Sequence, residues 1–215
     1  MSYKKEDILL AIINMIFIIT FAICLTVFIR QLYYFDIGYL NIDHTSGMSV
    51  DIIKKNYDIL IDYQSVFYQG TLSLPNFIMS EGGRIHFEEV KRIFEIIQIM
   101  CVVSGVLAII GNVRKLKKGY VLHLRLTSIL TLVTPSAIGL LASIDFDQAF
   151  IIFHRIFFRN DFWIFDVVID PVITILPQTF FMHCFIMIIV IVLILSGICY
   201  MIYRIQIKKE KIMYE

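Results

Sequence analysis

The chain has 215 residues, of which 59% are hydrophobic, and its mean hydropathy is +0.80. These values lie far outside the range of soluble globular domains and exclude that class. The net charge of +1 does not distinguish between classes of protein, whereas the placement of the charges along the chain indicates how it is oriented in a membrane. We therefore expect an all-α integral membrane protein that forms a single membrane domain over residues 1–215.

Four apolar stretches predict four transmembrane helices, because each is long enough to cross the hydrocarbon core. The first follows Lys4 and Lys5 but is too long for a signal-peptide core, and no small-x-small cleavage site follows it. We interpret it as an uncleaved anchor. The predicted spans are residues 8–29, 94–113, 126–144 and 179–203.

The basic residues predict the orientation of these spans. Of the 19 Lys and Arg residues, 11 lie in the short segments 1–7, 114–125 and 204–215. The positive-inside rule then places both termini and the 114–125 loop in the cytoplasm. We interpret that loop as a topology signal rather than a nucleic-acid site. Residues 30–93 and 145–178 become extracellular, and we expect them to form a helical cap over the outer leaflet.

The first external segment contains an amphipathic pattern over Ser49–Gln64, with Ser49 as a candidate N-cap. Two chain breakers follow, LeuProAsn at 74–76 and GlyGly at 82–83. From about Ile85 a helix is predicted to continue into the second span. His86 lies on one apolar stripe of that helix.

The second external segment follows the span that contains Pro135, where we expect a kink. An aromatic helical face is then predicted in or just above the outer interface, as a short interfacial or re-entrant element. His154 lies beside this face. The rings of the face recur at helical spacing, at Phe146, Phe150, Phe153 and Phe157.

His86 and His154 are the candidate catalytic residues, because each has apolar neighbours on the same predicted side of the membrane. A neutral imidazole in a partly dry site is a suitable base near pH 7. The alternative for either residue is a buried histidine satisfied by one hydrogen bond. We expect His123 to be interfacial, and His183 to face the same side without polar companions.

The stretch FHRIFFRNDFW, residues 153–163, also holds polar residues that are costly at this depth. Asn160 or Trp163 can donate to a developing oxyanion. Asp161 can orient a histidine or pair with Arg159, whereas Asp166 and Asp170 can do the same or cap the turn before Pro171. The predicted orienting and substrate-binding residues are Arg159, Asn160, Asp161, Trp163, Phe150, Phe158 and Asp166.

A metal site is the rival interpretation of the histidine pair, with Glu88, Glu89 and Asp161 as further ligands. No ligand spacing typical of zinc occurs, and we expect neither a metal nor another cofactor. The four cysteines all lie in predicted spans, so no disulfide framework is expected.

Two signatures make the chain resemble a bacterial four-span family, the lipoprotein intramolecular transacylases (Lit). The first is FHRIFFRNDFW with Asp166, Asp170 and LeuProGlnThrPhePhe at 176–181; the second is HisPheGluGluValLys at 86–91 with Glu81 upstream. The chain departs from the family pattern at three places. Asp166 is followed by Val rather than Pro, and Gln178 and Glu89 stand where Glu and Asp are expected.

The resemblance implies an acyltransferase of the bacterial cell membrane with its active site at the outer leaflet. It moves the sn-2 acyl chain of a diacylglyceryl-cysteine lipoprotein to the cysteine α-amine, which gives a lyso-form lipoprotein. In this interpretation His86 takes the amine proton, and His154 polarises the oxyanion or protonates the leaving oxygen. The sequence does not settle which histidine has which role, or whether an acyl-histidine forms.

The expected partners are the lipidated lipoprotein substrate and membrane lipids, with no nucleic acid, and four spans suffice for a monomer. Two other functions stay open at this point. One is an intramembrane hydrolase, and the other is a non-enzymatic membrane adaptor whose external segments bind a partner.

Overall fold

A computed structural model describes residues 3–213 of the chain, and the side chains of these residues except 134, 138, 141–143 and 210–213. Within this part the regular structure is helical, in eight α-helices and one short 3-10 helix at Pro171–Ile175. The α-helices, in chain order, are α1 Lys5–Phe28, α2 Arg30–Tyr39, α3 Ile42–Ser46, α4 Val50–Tyr63, α5 Glu81–Leu116, α6 Leu122–Ile144, α7 Phe146–Phe157 and α8 Gln178–Met213.

Three of the described helices are long and apolar enough to cross a membrane, namely Lys5–Phe28, Glu81–Leu116 and Gln178–Lys209. They cover three of the four predicted spans. Helix α6 covers the remaining one, residues 126–144, and contains Pro135, where the kink stays a prediction. Over its described residues, α6 is not among the helices that are long and apolar enough to cross a membrane, so the fourth span stays a prediction.

The chain divides into two compact units, and helices α1, α5, α6 and α8 each contribute residues to both. The first unit consists of residues 1–24, 97–141 and 187–215, and the second of residues 25–96 and 142–186. The single-domain prediction is not tested by this division.

A buried polar cluster joins three helices of the first unit. The Asn14 and Asn112 amides bond each other, at 2.8 and 3.2 Å, and Asn14 also donates to Thr127. His123 Nε2 lies 2.9 Å from the Asn112 carbonyl oxygen. His123 is fully buried within this unit, and its level relative to the membrane interface stays a prediction. Polar groups among apolar helices are stable only when they bond each other, as these do.

The core of the second unit is built on stacked tyrosines. The Tyr33 and Tyr57 rings lie 3.6 Å apart, and the Phe180 ring packs edge-on 5.0 Å from Tyr33. The Tyr33 hydroxyl donates to the Ile175 carbonyl at 2.6 Å. Helix α4 supplies Tyr57, and Ser49 occupies its N-cap position without a side-chain cap bond. This core fixes α2, α4 and the 3-10 helix against the start of α8.

Replacing Tyr33 with Phe should destabilise this unit by about 1–3 kcal/mol, because the Ile175 carbonyl loses its donor inside the core. The measurement is thermal or denaturant unfolding of the purified protein in detergent. The matched control is Tyr39→Phe, at an exposed ring in the same helix, which should leave the midpoint unchanged. Equal midpoints for Tyr33→Phe and the wild type would contradict the prediction.

Candidate functional site

His86 and His154 lie next to each other in the second unit. His86 is in the second turn of α5 and His154 is near the end of α7, and their ring centroids are 6.0 Å apart. Both side chains are buried, with 7% and 9% of their surface exposed. The sequence analysis selected both histidines, and the fold brings them together across 68 positions of the chain.

A backbone hydrogen bond fixes the tautomer of His154. Its Nδ1 lies 2.8 Å from the Phe150 carbonyl oxygen, one turn back in α7. A carbonyl oxygen can only accept, so Nδ1 carries the proton. Burial lowers the pKa of His154, and the Phe150 bond only partly opposes this. The ring is therefore neutral at pH 7, with its lone pair on Nε2.

Aromatic rings surround the two histidines. Trp163 stacks on His154 with centroids 4.7 Å apart, and Phe150 lies 4.2 Å from the same ring. Phe158 packs 4.7 Å from His86 and 5.6 Å from His154. This apolar lining disfavours charge on the imidazoles and keeps water from them.

Two buried polar atoms at this site have no hydrogen-bond partner among the described residues. They are His86 Nδ1 and Trp163 Nε1. An indole N–H is only a donor, and leaving it unpaired in an apolar site costs free energy. Unpaired groups beside a neutral histidine are typical of a site that bonds its ligand or transition state.

Asn160 is bound within the protein. Its amide nitrogen lies 2.9 and 3.2 Å from the two Glu89 oxygens, one turn beyond His86 on α5. Its own carbonyl oxygen accepts from the Phe162 backbone N–H at 3.1 Å. The Asn160 amide is thus already engaged by Glu89, whereas Trp163 Nε1 has no partner among the described residues, so Trp163 is the better placed of the two predicted donors.

The remaining predicted orienting residues lie at the surface. Arg159, Asp161 and Asp166 are exposed. The Asp166 carboxylate accepts from the Val168 N–H at 2.7 Å and so caps a local turn. Neither the expected Asp161–Arg159 pair nor a bond from Asp161 to a histidine occurs among the described contacts. Their roles toward substrate stay predictions.

The expectation for His183 is wrong, since it does have a polar companion. Its Nδ1 lies 2.9 Å from both carboxylate oxygens of Asp36, which is fully buried. The two residues are 147 positions apart, and nothing local in the sequence pairs them.

The carboxylates of the alternative metal site are engaged elsewhere. Glu88 is bound to Arg84, and Glu89 is bound to Asn160. Among the described residues, no three His, Cys, Asp or Glu side chains form a cluster that could hold a metal ion.

Sequence reasoning missed the contact between Ser80 and Asp170. Ser80 donates to the Asp170 carboxylate through both its backbone N–H and its hydroxyl. Ser80 directly precedes Glu81 and so carries the pattern of a helix N-cap, which was the one available signal. Its partner is 90 positions away.

Comparisons with known proteins identify the family of the chain. The family model described as "Lipoprotein intramolecular transacylase Lit" matches residues 8–181. A solved in meso structure of the membrane integral lipoprotein intramolecular transacylase Lit from Bacillus cereus is 40% identical, with a TM-score of 0.94 over 96% of each chain. No match was found among curated proteins.

Two further structures of the Bacillus cereus protein carry a substitution of one histidine, by arginine and by alanine. Each has 40% identity and a TM-score of 0.87 over 96% of this chain, and over 92% and 94% of the other chain. The family model and the identity over nearly the whole chain lead to one conclusion. The chain belongs to the lipoprotein intramolecular transacylase family, Lit.

Proposed function

We propose that this chain transfers the sn-2 acyl chain of a diacylglyceryl-cysteine lipoprotein to the α-amine of the same cysteine. The products are an N-acylated cysteine and a lyso-glyceryl group. Family membership supports the reaction class, and one observation carries the site assignment. The neutral His154, with its tautomer set by Phe150, lies beside His86 and stacks on Trp163, whose N–H has no partner in the described part of the chain.

His154 acts as the base in this proposal. The amine nitrogen attacks the ester carbonyl, and its proton passes to His154 Nε2. The bond from carbon to the glyceryl oxygen then breaks, and the same proton moves from Nε2 to that oxygen. The Phe150 bond favours this assignment, because neutral His154 has no proton on Nε2 to give to an oxyanion. This assignment reverses the roles suggested by the sequence, in which His86 takes the amine proton.

Trp163 Nε1–H and His86, with its proton on Nδ1, donate to the developing oxyanion. Both groups are buried beside His154, and neither has a hydrogen-bond partner among the described residues. Donors held in a dry site stabilise a charge that develops only in the transition state. Because amine and ester belong to one molecule, orientation supplies much of the rate and no protein nucleophile is required.

The protein sits in the bacterial cell membrane with four spans and with both termini in the cytoplasm. This topology rests on the positions of the Lys and Arg residues. The second unit then lies at the outer leaflet, where a lipidated lipoprotein presents its glyceryl ester and amine. Exposed apolar residues of α7, such as Ile152, Ile156 and Phe157, suit contact with acyl chains.

The test is mass spectrometry of the N-terminal lipopeptide of a reporter lipoprotein, in a host without any other N-acylating enzyme. Expression of the wild-type protein should place an acyl chain on the amine and leave a lyso-glyceryl group. An unchanged diacylglyceryl lipopeptide, with the protein well expressed, would refute the proposal. Release of a free fatty acid would identify a hydrolase, and a trapped acyl-enzyme would exclude direct transfer.

Trp163→Phe should lower kcat by about 10²-fold, since it removes one oxyanion donor while keeping an aromatic ring against His154. Initial rates with a synthetic diacylglyceryl lipopeptide in detergent micelles measure this. Phe67→Leu, at an exposed ring of the same unit, is the control and should stay near the wild-type rate. A Trp163→Phe variant with wild-type kcat would remove Trp163 from the chemistry.

The pH profile should reflect the lowered pKa of His154. The base must be neutral, so kcat falls as the pH drops through that pKa. Burial lowers this pKa, and the acid limb should lie below the ordinary histidine value of about 6.5. Rates between pH 4.5 and 9 with saturating lipopeptide measure it. The substrate α-ammonium must also lose a proton to solvent before it attacks, which gives a second limb at about 8. A lower limb centred at or above the ordinary histidine value would contradict a buried neutral base.

A further inference from the structure

A network of short hydrogen bonds joins Asp170 to the first turn of α5. Asp170 is 3% exposed, and its two oxygens accept from the Ser80 backbone N–H at 2.8 Å and from the Ser80 hydroxyl at 2.7 Å. The Ser80 hydroxyl in turn accepts from the Gly83 N–H at 2.9 Å, which caps the helix. We call this group, Ser80, Gly83 and Asp170, the Ser80 anchor. The sequence analysis considered Asp170 as an orienting or turn-capping residue, but it did not connect Asp170 with Ser80 or Gly83.

The glycines of the first turn make this approach possible. A Cβ atom on Gly83 would lie 2.3 Å from the Asp170 carboxylate oxygen. A Cβ on Gly82 would lie 3.0 Å from the Phe162 ring. The GlyGly pair, which the sequence analysis treated only as a chain breaker, therefore lets the segment 158–170 lie directly on the start of α5.

The same segment is attached to α5 a second time, two turns further on. Asn160 bonds both oxygens of Glu89. Trp163 lies between the two attachments in sequence, and His86 lies between Ser80 and Glu89 on the helix. The segment also supplies Phe158 and Phe165, whose rings contact His86 at 4.7 and 5.5 Å. The two attachments thus span the region where indole and imidazoles meet.

We propose that Asp170 is a positioning residue, which through the Ser80 anchor holds Trp163 and His86 at the separation that the reaction requires. Asp170 touches no reacting atom. It acts by fixing segment 158–170 to the helix that carries His86. The kinetic consequence rests on the proposed function, whereas the position of Trp163 can be measured without it.

The test compares four variants: Asp170→Asn, Ser80→Ala, Ser80→Thr and the control Asp51→Asn. Asp51 is an exposed aspartate of the same unit. Trp163 is the one tryptophan in the sequence, so intrinsic fluorescence reports this site alone. The readouts are its emission maximum, its quenching by iodide, and kcat and KM for a diacylglyceryl lipopeptide.

We expect Asp170→Asn to shift Trp163 emission to the red, to increase quenching and to lower kcat by about 10- to 100-fold with little change in KM. The asparagine side chain keeps one oxygen that can accept from Ser80. In place of the second oxygen it has an NH2 group, which faces the other Ser80 donor and cannot accept from it. Ser80→Ala should change the emission maximum, the quenching and kcat in the same direction, but by a smaller amount. Ser80→Thr, which keeps the hydroxyl, should restore them, and Asp51→Asn should match the wild type.

Wild-type emission and kcat in a folded Asp170→Asn variant would overturn the proposal, as would equal behaviour of Ser80→Ala and Ser80→Thr. If Asp170→Asn does not fold, that Ser80 comparison decides the question. A wild-type protein without transacylase activity would refute the proposed function, yet a red shift in the Asp170→Asn variant would still support the anchor.

Discussion

Replacing His154 with Ala should lower the rate of N-acylation by about 10²- to 10⁴-fold, the usual contribution of a general base. The reason is the chemical state of the ring. Its Nδ1 is committed to the Phe150 carbonyl, and burial lowers its pKa, so Nε2 is available to accept a proton at pH 7. The two rings closest to it, Trp163 and Phe150, offer no lone pair to a proton.

His154→Asn separates the base from its hydrogen bond. The asparagine amide can occupy the position of Nδ1 and donate to the Phe150 carbonyl, but it has no basic nitrogen. We expect this variant to fold like the wild type and to be as inactive as His154→Ala. The control is His44→Ala, at an exposed histidine of the same unit. Substantial activity in His154→Asn would show that His154 serves only structure.

The sequence predicted the parts of the fold that depend on local periodicity. Helix α4 begins at Val50 and α5 runs unbroken from Glu81, where apolar residues recur at helical spacing. The aromatic stripe that starts at Phe146 forms α7, which places His154 one turn after Phe150. The same periodicity located both histidines on apolar helix faces, and this was enough to select them.

Contacts between distant segments were beyond the reach of the sequence. The bonds of Asp170 to Ser80 and of His183 to Asp36 join residues 90 and 147 positions apart. Periodicity says which face of a helix is apolar, but it does not say which segment covers that face. The choice of base was open for a related reason, since it depends on which ring nitrogen meets the Phe150 carbonyl.

The surroundings of the histidines favour transfer over hydrolysis. Both rings are packed among Phe158, Phe165 and Trp163, and such packing limits the entry of water. A hydrolase needs a water placed beside its base, whereas the transacylase nucleophile arrives with the ester in the same molecule. A membrane adaptor, in turn, would gain nothing from buried polar atoms without partners, which only cost folding free energy.

His86→Ala should reduce kcat by about 10²- to 10³-fold, the loss expected for one oxyanion donor. The donor is Nδ1, which is buried and unpaired among the described residues. His86→Asn can present an amide N–H near the same position, so it should keep more activity than His86→Ala.

The pH profile of the residual activity distinguishes the two histidines. If His154 is the base, the acid limb stays in His86→Ala, because the group that titrates is still present. If the histidine acid limb is instead absent in His86→Ala and present in His154→Ala, the roles are exchanged. His86 is then the base that takes the proton from the amine.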